Sequence, residues 1–341
     1  STEIISRIEK ISGKPAHPFL KRGIFFSHRD LEKILDDYEK DKPIYIYTGR
    51  GPSAGCFHLG HLIPFLFTKY LQDIFNAYVV IQITDDEKAI FRDCSFTDLN
   101  TNTRSNIRDI IACGFDPKKT FIFNNFDYVG RMYRNIVRIQ KKLTIKQVAS
   151  TFGVNLGNTI EHKSQESNDD VYEKSDCIGK IAFCANQIAP CIPSSFDHIM
   201  QLDNPRCLIP QGIDQDPYFR LARDICPSLG VHKPSLIHST FIPSLKGVNT
   251  KMSSSIPESA IFVEDSMKQI RKKIGRAFSG GGKTKKEQEQ NGANLDVDVA
   301  YQYLTFFLED DEELYKIGEL YRTGKMFTGQ VKKRCIEVIC N

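Results

Sequence analysis

The stretch IYIYTGRGPSAGCFHLGHLIPF, residues 44–65, decides the fold. Its apolar start, 44–48, has the composition of a buried strand, and a turn rich in glycine and proline follows at 49–55. Downstream, apolar residues recur at helical spacing over 63–74, and a second apolar run at 78–83 predicts another strand. A strand, a helix and a strand in close succession form a parallel βαβ unit.

The same alternation continues along the chain. A helical stretch at 99–112 precedes a β-type run at 120–123, and a helical stretch at 217–226 separates β-type runs at 207–210 and 235–241. Strands that alternate with helices predict an α/β domain with a mostly parallel sheet. Ligands of such sheets bind beyond the carboxyl ends of the strands.

Two parts of the chain lie outside this alternation. The N-terminal extension, 1–43, predicts a helix, a turn and a second helix at 30–38. From residue 264 onward no strand pattern is visible. We therefore expect an α/β domain at 1–255 and a smaller, all-helical domain at 256–341.

Polar segments interrupt these domains. Residues 155–176 contain almost no core-forming residues and predict a flexible insertion, and residues 279–294 predict a mobile loop. Within that loop GGGKT, 280–284, is like a phosphate-binding P-loop, but Ala277 stands where the first glycine belongs. HRDL, 28–31, is like a kinase catalytic loop but lacks the asparagine that must follow it. Neither short motif indicates a function.

The composition is that of a soluble globular protein. The chain has 341 residues, of which 40% are hydrophobic and 26% are charged, which suggests about two domains. No apolar run approaches the ~20 residues of a membrane helix, and the N-terminal residues form no secretory signal. We therefore expect a cytoplasmic location and no contact with a membrane. Because the chain begins with Ser1 rather than Met, we also expect it to be part of a longer protein.

Cysteine and charge usage are the remaining global features. The 10 cysteines have irregular spacing and no C-x-x-C pair, so we expect free thiols in a reducing compartment and find no ligand set for zinc. The net charge of +4 is mild, but basic runs occur at 268–276, 283–287 and 331–334. Such runs are most often solvated helix faces.

Two histidines stand where the first Gly/Pro turn meets the following helix. His58 and His61 flank Gly60, and a helix start offers unpaired N–H groups and a positive dipole end. Gly60 has no side chain, so that adenine or a phosphate can approach the backbone. The pattern predicts an anion site, although it alone also fits a tight turn with two surface histidines.

A second candidate for anion binding is KMSSS, residues 251–255. Lys251 supplies a positive charge, and Ser253 and Ser255 supply hydroxyl donors, which suits a phosphate clamp. Taken alone, the segment also fits an ordinary loop.

Together, the two patterns resemble the HIGH and KMSKS signatures of class I aminoacyl-tRNA synthetases. GIDQ at 212–215 lies between them and is similar to the G-x-D-Q signature of the tyrosyl and tryptophanyl enzymes. Leu59 replaces the isoleucine of the first signature and Ser254 the second lysine of the other. Stretches that resemble the eukaryotic type of tryptophanyl-tRNA synthetase cover nearly the whole chain: FLKRGIFFSHRD (19–30), YTGRGPS (47–53), HLGHLIPF (58–65), TDDEK (84–88), DCIGK (176–180), IDQDPYF (213–219) and YLTFFLEDD (303–311).

The resemblance implies a Rossmann-like catalytic domain and an incomplete helical domain that binds the tRNA anticodon. It implies that the L-tryptophan carboxylate attacks the α-phosphorus of ATP, and that the 2′-hydroxyl at the 3′ end of tRNA(Trp) then takes the tryptophanyl group. ATP is expected to react as its Mg²⁺ complex, with no tightly bound metal or prosthetic group. The family also implies a homodimer, for which an apolar patch near 90–140 is a candidate surface.

The resemblance further assigns residues to the substrates. The expected catalytic residues are His58, His61 and Lys251. The expected ATP-binding residues are Gly49, Arg50, Pro52, His58, Gly60, His61, Ile209, Gly212, Asp214, Lys251, Met252 and Ser253. Tryptophan is expected to bind Tyr47, Gln82, Glu87, Gln187 and Gln215, with Tyr47 and Gln82 at the indole. Without the resemblance, Gln82 is more simply read as a structural polar group in a strand.

Three alternatives remain open on the sequence. A tyrosyl-tRNA synthetase shares the fold and the signatures. A non-catalytic binding or signalling member of the family is disfavoured by the intact HLGH and KMSSS segments. A nucleotidylyltransferase also uses an H-x-G-H turn, but it leaves GIDQ and the helical tail unexplained.

Overall fold

The computed structural model describes residues 2–156, 176–248, 250, 252 and 256–341. Within these residues one sheet contains β1 (Phe25–Arg29), β2 (Ile44–Arg50), β3 (Tyr78–Ile83), β4 (Thr120–Asn124), β5 (Arg206–Gly212) and β6 (Ser235–Ser239). The helices of the same residues are α1 (Thr2–Ser12), α2 (Pro18–Lys21), α3 (Leu31–Glu39), α4 (Leu59–Phe75), α5 (Asp85–Phe91), α6 (Phe96–Ala112), α7 (Asn125–Gln140), α8 (Ile145–Phe152), α9 (Ile178–Ile188), α10 (Asp197–Met200), α11 (Asp216–Ile225), α12 (Met267–Arg276), α13 (Lys285–Asn291), α14 (Val299–Phe307), α15 (Asp311–Arg322) and α16 (Thr328–Cys340). None of these described helices is both long enough and apolar enough to cross a membrane.

The strand order is β1-β6-β5-β2-β3-β4, and only the pair of β1 with β6 is antiparallel. From β2 the chain runs outward through β3 and β4, whereas β5 and β6 lie on the other side of β2. The connections therefore diverge between β2 and β5, and the carboxyl ends of these strands border the crevice in which α/β proteins bind ligands. The predicted α/β fold with a mostly parallel sheet is confirmed.

Alternate residues of the central strand enter two hydrophobic clusters. Ile44 and Ile46 pack into one cluster, whereas Tyr45 and Tyr47 pack into the other. This alternation is expected of a strand with both faces buried. The first cluster continues into α1, α14 and α16. The domain boundary expected at residue 255 stays a prediction, with the same core on both sides of it.

The N-terminal extension contains a strand that the sequence did not predict. The predicted helix at 30–38 is present as α3, but the chain before it, after α1 and α2, forms β1 at the edge of the sheet, where Ser27 lies opposite His238. The register shifts between Phe25 and Ser27, which breaks the alternation that normally identifies a strand. The guanidinium of Arg29 donates hydrogen bonds of 2.7 and 2.8 Å to Asp216 at the start of α11, so the extension is tied to the crevice.

The expected mobile loop at 279–294 is instead a packed segment that contains α13. The Gln288 side chain is 2% exposed, and its Oε1 accepts a 2.6 Å hydrogen bond from the Gly282 N–H. A Cβ added to Gly280 would lie 2.1 Å from the carbonyl oxygen of Asn294. The glycines therefore allow two backbone segments to approach closely, which composition alone did not distinguish from flexibility.

The predicted insertion at 155–176 lies outside the described residues, apart from its two ends. Those ends meet, because the Asp176 N–H donates to the Asn155 carbonyl and the Asn155 N–H donates to the Asp176 carboxylate, both at 2.8 Å. The insertion thus begins and ends at one place beside α8 and α9.

Candidate active site

The residues predicted to bind substrates lie mainly at the strand ends and helix starts around the crevice. They are distributed as follows: Tyr47, Gly49 and Arg50 at the end of β2, His58, Gly60 and His61 at the start of α4, Gln82 in β3, Glu87 in α5, Gln187 in α9, Gly212 at the end of β5, and Asp214 and Gln215 in the turn Ile213–Gln215. Three neighbouring strands, β5, β2 and β3, thus supply one site.

The two histidines of the α4 start stack on each other. Their ring centroids are 3.4 Å apart, and Nδ1 of His61 accepts a hydrogen bond from the His58 N–H. Burial and the nearby Arg50 charge lower the pKa of His58 to about 4 and also lower that of His61. Both rings are therefore neutral near pH 7, and His61 carries its proton on Nε2. His58 is 6% exposed and His61 is half-buried, so the alternative of two surface histidines does not hold for His58.

Arg50 supplies the positive charge that these neutral rings lack. Its Nε donates a 2.8 Å hydrogen bond to Asn106, and its guanidinium lies 4.8 Å from the centre of the Phe57 ring. Burial lowers the pKa of Arg50 to about 10, which leaves it charged near pH 7. Among the described groups its Nη2 is buried without a hydrogen-bond partner, so it can still donate to an anion. Asn106 was not predicted as a site residue, because its only signal in the sequence is a polar residue on a helix.

Two glycines make room along the strand ends. A Cβ on Gly49 would lie 2.9 Å from the Gln82 carbonyl oxygen, and a Cβ on Gly212 would lie 2.7 Å from a carboxylate oxygen of Asp214. Any larger residue would push these groups apart. The glycines thus fix the spacing of β2 and β3 and keep Asp214 close to the end of β5.

The predicted indole contacts, Tyr47 and Gln82, form a buried polar group. The Tyr47 hydroxyl lies 2.6 Å from Oε1 of Gln82 and 2.9 Å from the Gln187 carbonyl, and it can donate its single hydrogen to one of them. Tyr47 and Gln82 are 2% and 0% exposed. The lone pairs left on the Tyr47 and Gln82 oxygens make this group an acceptor for an N–H donor.

The residues predicted for the polar end of the amino acid form two hydrogen-bonded groups, one around Glu87 and one made by Gln187 and Gln215. The carboxylate of Glu87 accepts hydrogen bonds from Thr84 at 2.8 Å and from Lys88 at 2.7 Å. Across the crevice, Nε2 of Gln187 donates to Oε1 of Gln215 at 3.3 Å. Lys88 was not predicted, although it belongs to the TDDEK segment.

The structure describes three of the remaining predicted residues and leaves two outside the described part of the chain. Pro52 is buried in the turn after β2, and Met252 is half-buried against the first hydrophobic cluster. The Ile209 side chain is 1% exposed and packs into the second cluster, so only its backbone is left to face a nucleotide. Lys251 and Ser253 lie outside the described residues, and their roles stay predictions.

Comparison with known proteins identifies the class. Residues 39–154 and 197–341 match the family described as tRNA synthetases class I (W and Y). The chain therefore belongs to the class I tRNA synthetases of the tryptophan and tyrosine group, as its signatures predicted.

Within that group, the chain belongs with the tryptophanyl-tRNA synthetases. It is 50% identical over 99% of its length to the cytoplasmic tryptophan–tRNA ligase of Dictyostelium discoideum, of which it covers 82%, and 51% identical to the human one, of which it covers 69%. The tryptophanyl-tRNA synthetases of Giardia lamblia and Plasmodium falciparum superimpose on all of this chain with TM-scores of 0.90 and 0.89, at 43% and 47% identity, and 87% of each is covered.

These relatives decide between the open alternatives. They carry tryptophan and not tyrosine in their names, and they are ligases, not nucleotidylyltransferases or binding proteins. Their names also agree with the expected cytoplasmic location.

Proposed function

We propose that this protein ligates L-tryptophan to tRNA(Trp) in two steps. The tryptophan carboxylate first attacks the α-phosphorus of ATP, which forms tryptophanyl-adenylate and releases pyrophosphate. The 2′-hydroxyl at the 3′ end of the tRNA then takes the tryptophanyl group and releases AMP. The observation that supports the proposal is that one end of the sheet carries both the buried acceptor group of Tyr47 and Gln82 and the helix start at His58, which is our candidate for binding the phosphates.

Neither step needs a strong general base from the protein. The carboxylate is already ionised and pyrophosphate is a good leaving group, so catalysis can rest on positioning and on stabilising negative charge. The α4 start with His58 and His61, the buried guanidinium of Arg50 and the cation of Lys251 are our candidates for that stabilisation. Glu87 is our candidate for the substrate ammonium group, and Asp214 for the ribose.

Mg²⁺ enters the reaction with ATP as part of the substrate. We expect phosphate oxygens and water to fill most of its coordination positions. Within the described ranges no cluster of three or more His, Cys, Asp or Glu side chains is placed to hold a metal ion.

The decisive experiment is amino-acid-dependent exchange of pyrophosphate into ATP. We expect L-tryptophan, and not L-tyrosine, to support the exchange. The chain contains no tryptophan, so binding of L-tryptophan can be followed by its own fluorescence with little protein background. Equal exchange with tyrosine contradicts the assigned specificity, and no exchange with either contradicts the assigned reaction.

The role of Lys251 is tested separately. Replacement Lys251→Ala is expected to slow adenylate formation at least tenfold while the Kd for tryptophan changes less than threefold, because the lost cation faces phosphate and not the amino acid. Lys246→Ala, outside the signature, serves as the control. Unchanged turnover in Lys251→Ala removes the residue from this role.

Helix α12 is the candidate element for tRNA phosphates. Lys268, Arg271 and Lys272 are exposed on it. The basic run at 331–334 is largely used within the protein, since Lys332 donates to two carbonyls at the end of α12 and Arg334 pairs with Glu313. We expect the triple change of the three α12 cations to Glu to raise the KM for tRNA and to reduce its salt dependence, with exchange unchanged. An unaltered KM for tRNA contradicts this assignment.

A homodimer is the assembly that we propose. Tyr133 and Val137, one helical turn apart on α7, are 61% and 45% exposed, and the exposed rings of Phe96 and Phe126 pack against each other 5.7 Å apart. Apolar surface of this kind usually marks an interface. Sedimentation is expected to give a dimer for the wild type and a monomer for Tyr133→Asp, whereas Tyr315→Asp, at a tyrosine of α15 that is 70% exposed, stays dimeric. A monomeric wild type contradicts the proposal.

A further inference from the structure

Behind the indole pocket, side-chain hydrogen bonds hold the Gln82 amide in one orientation. Its Nε2 donates to the Asn186 carbonyl at 2.9 Å and to Oδ1 of Asn125 at 2.8 Å. A backbone carbonyl only accepts, so the group of Gln82 that faces Asn186 is its NH₂. The other end of the amide, Oε1, is therefore the one that faces Tyr47.

Asp86 holds both of the residues that fix Gln82. One of its carboxylate oxygens accepts from Nδ2 of Asn125 and the other from Nδ2 of Asn186, each at 2.7 Å. The Glu87 N–H donates to the same carboxylate at 2.8 Å. Asp86 is the acceptor in all three hydrogen bonds. Asn125 must therefore direct its NH₂ group to Asp86, which leaves its oxygen to accept from Gln82.

We propose that Asp86 is a positioning residue for amino acid specificity: through Asn125 and Asn186 it turns the oxygen of Gln82, and not its NH₂ group, toward the indole N–H of tryptophan. The inference rests on the proposed function and deepens it. Asp86 itself touches no substrate atom in this scheme and acts through Gln82.

The physical consequence of losing this orientation is specific to the N–H group. A reversed Gln82 amide would place its NH₂ at the Tyr47 hydroxyl and use a lone pair of that oxygen. The indole N–H would then meet a donor, and a buried donor without a partner is costly. A substrate of the same shape without an N–H group would be affected far less.

The test compares L-tryptophan with β-(3-benzothienyl)alanine, in which sulfur replaces the indole N–H. Asp86→Asn is nearly isosteric but places an NH₂ group where Asp86 only accepts. We expect it to lower kcat/KM for tryptophan relative to the analogue about tenfold, with the KM for ATP unchanged. The double variant Asp86→Asn with Asn125→Asp lets residue 125 accept from Gln82 again, and we expect the wild-type ratio to return within threefold.

Asp85→Asn is the matched control. Asp85 is 3% exposed, against 9% for Asp86, and it accepts from Asn124 at 2.7 Å and from the N–H groups of Phe126 and Asp86 at 3.1 Å each, but none of these hydrogen bonds involves the Gln82 side chain. We expect its substrate ratio to equal that of the wild type. A folded Asp86→Asn variant with the wild-type ratio overturns the inference, and so does a double variant that keeps the low ratio.

If Asp86→Asn does not fold, Asn125→Ala decides, because it removes one of the two acceptors of Gln82. A lowered ratio in that variant supports the inference, and an unchanged ratio overturns it. The proposed function fails separately, through a wild type that shows no tryptophan-dependent exchange. In that case the dissociation constants of L-tryptophan and of the analogue, measured by displacement of fluorescent L-tryptophan, still test the positioning role of Asp86 in binding alone. A wild type that does not bind tryptophan overturns both the proposed function and this inference.

Discussion

Gly60, the second residue of α4, leaves a space at the helix start that we propose to bind the phosphates of ATP. A Cβ there would lie 3.1 Å from Cε1 of His58 and 3.1 Å from Cγ2 of Ile242. Contacts this short force the His58 ring or Ile242 to move. Gly60→Ala is therefore expected to lower kcat/KM for ATP at least tenfold, measured by pyrophosphate exchange, because small displacements of positioning groups are costly. The Kd for tryptophan should change little.

Gly275 provides the control for that substitution. It lies in α12, and no heavy atom of another group lies within 4 Å of a Cβ added there. Gly275→Ala is expected to raise the free energy of unfolding by about 1 kcal/mol, the usual helix preference for alanine over glycine, with the KM for ATP unchanged. A normal KM in Gly60→Ala as well contradicts the role given to the open space.

His17 makes stability depend on pH. Its Nδ1 accepts the Phe19 N–H at 3.0 Å, and burial together with the Arg22 charge lowers the pKa of His17 to about 4. The unfolded chain, with a pKa near 6.5, binds the proton first, so this contribution is complete above pH 6.5 and is lost as pH falls toward 4. At about 1.4 kcal/mol per pKa unit the loss is about 3 kcal/mol before solvent screening reduces it.

The replacement His17→Asn keeps an acceptor for the helix start but does not titrate. In urea unfolding at pH 7, 6 and 5, the difference in unfolding free energy between the wild type and this variant is expected to shrink as pH falls, to the disadvantage of the wild type. His58 and His61 titrate in the same direction in both proteins, so the difference isolates His17. A constant difference across this range contradicts the assignment.

At the scale of residues, the sequence predicted those roles that follow from the position of a residue along the backbone. His58, Gly60 and the strand-end glycines follow from a turn that precedes a helix, and the structure brings them together. The neutral state of His58 and the buried charge of Arg50 arise from packing against distant segments, such as Asn106 in α6. A sequence pattern carries no signal for such contacts.

At the scale of elements, buried strands and amphipathic helices were predictable, and so was the edge strand β4, whereas the edge strand β1 was not. The strands β2 and β3 are continuous apolar runs because both faces are covered. The edge strand β1 has one neighbour and a register shift, so its sequence lacks that signature. The segment 279–294 was misjudged because glycines that permit close packing and glycines that confer mobility look the same in composition.

Asp298 is expected to hold this glycine segment to the helices around it. It is 0% exposed, caps α14 through the Tyr301 N–H at 2.9 Å, and accepts from the Gly280 N–H at 3.0 Å and the Tyr321 hydroxyl at 2.7 Å. Asp298→Ala leaves these buried donors unpaired and is expected to cost about 3 kcal/mol of unfolding free energy in urea. Asp310→Ala removes an exposed cap of α15 and should cost only about 1 kcal/mol. Equal losses of unfolding free energy in the two variants would contradict the role given to the hydrogen bonds of Asp298.

At the scale of the whole molecule, the N-terminal extension connects the sheet to the C-terminal helices. Arg22 donates hydrogen bonds to the Thr305 carbonyl and to Asp311, both at 2.9 Å, and the Phe19 and Phe306 rings lie 6.2 Å apart. The first hydrophobic cluster runs through all three parts. Elements that share one hydrophobic core are expected to unfold together. The two parts on either side of the expected domain boundary are therefore expected to unfold as one cooperative unit.

This continuity predicts a single unfolding transition. Because the chain lacks tryptophan, Tyr70→Trp in α4 and Phe307→Trp in α14 each introduce one fluorescent probe, and we expect both to report the same urea midpoint. Arg22→Ala is expected to lower both midpoints together, since it weakens the contact between the parts, whereas Arg334→Ala, whose partner Glu313 lies in the same helical part, should have the smaller effect. Two separate midpoints would show that the C-terminal helices fold on their own and that the shared cluster does not couple them.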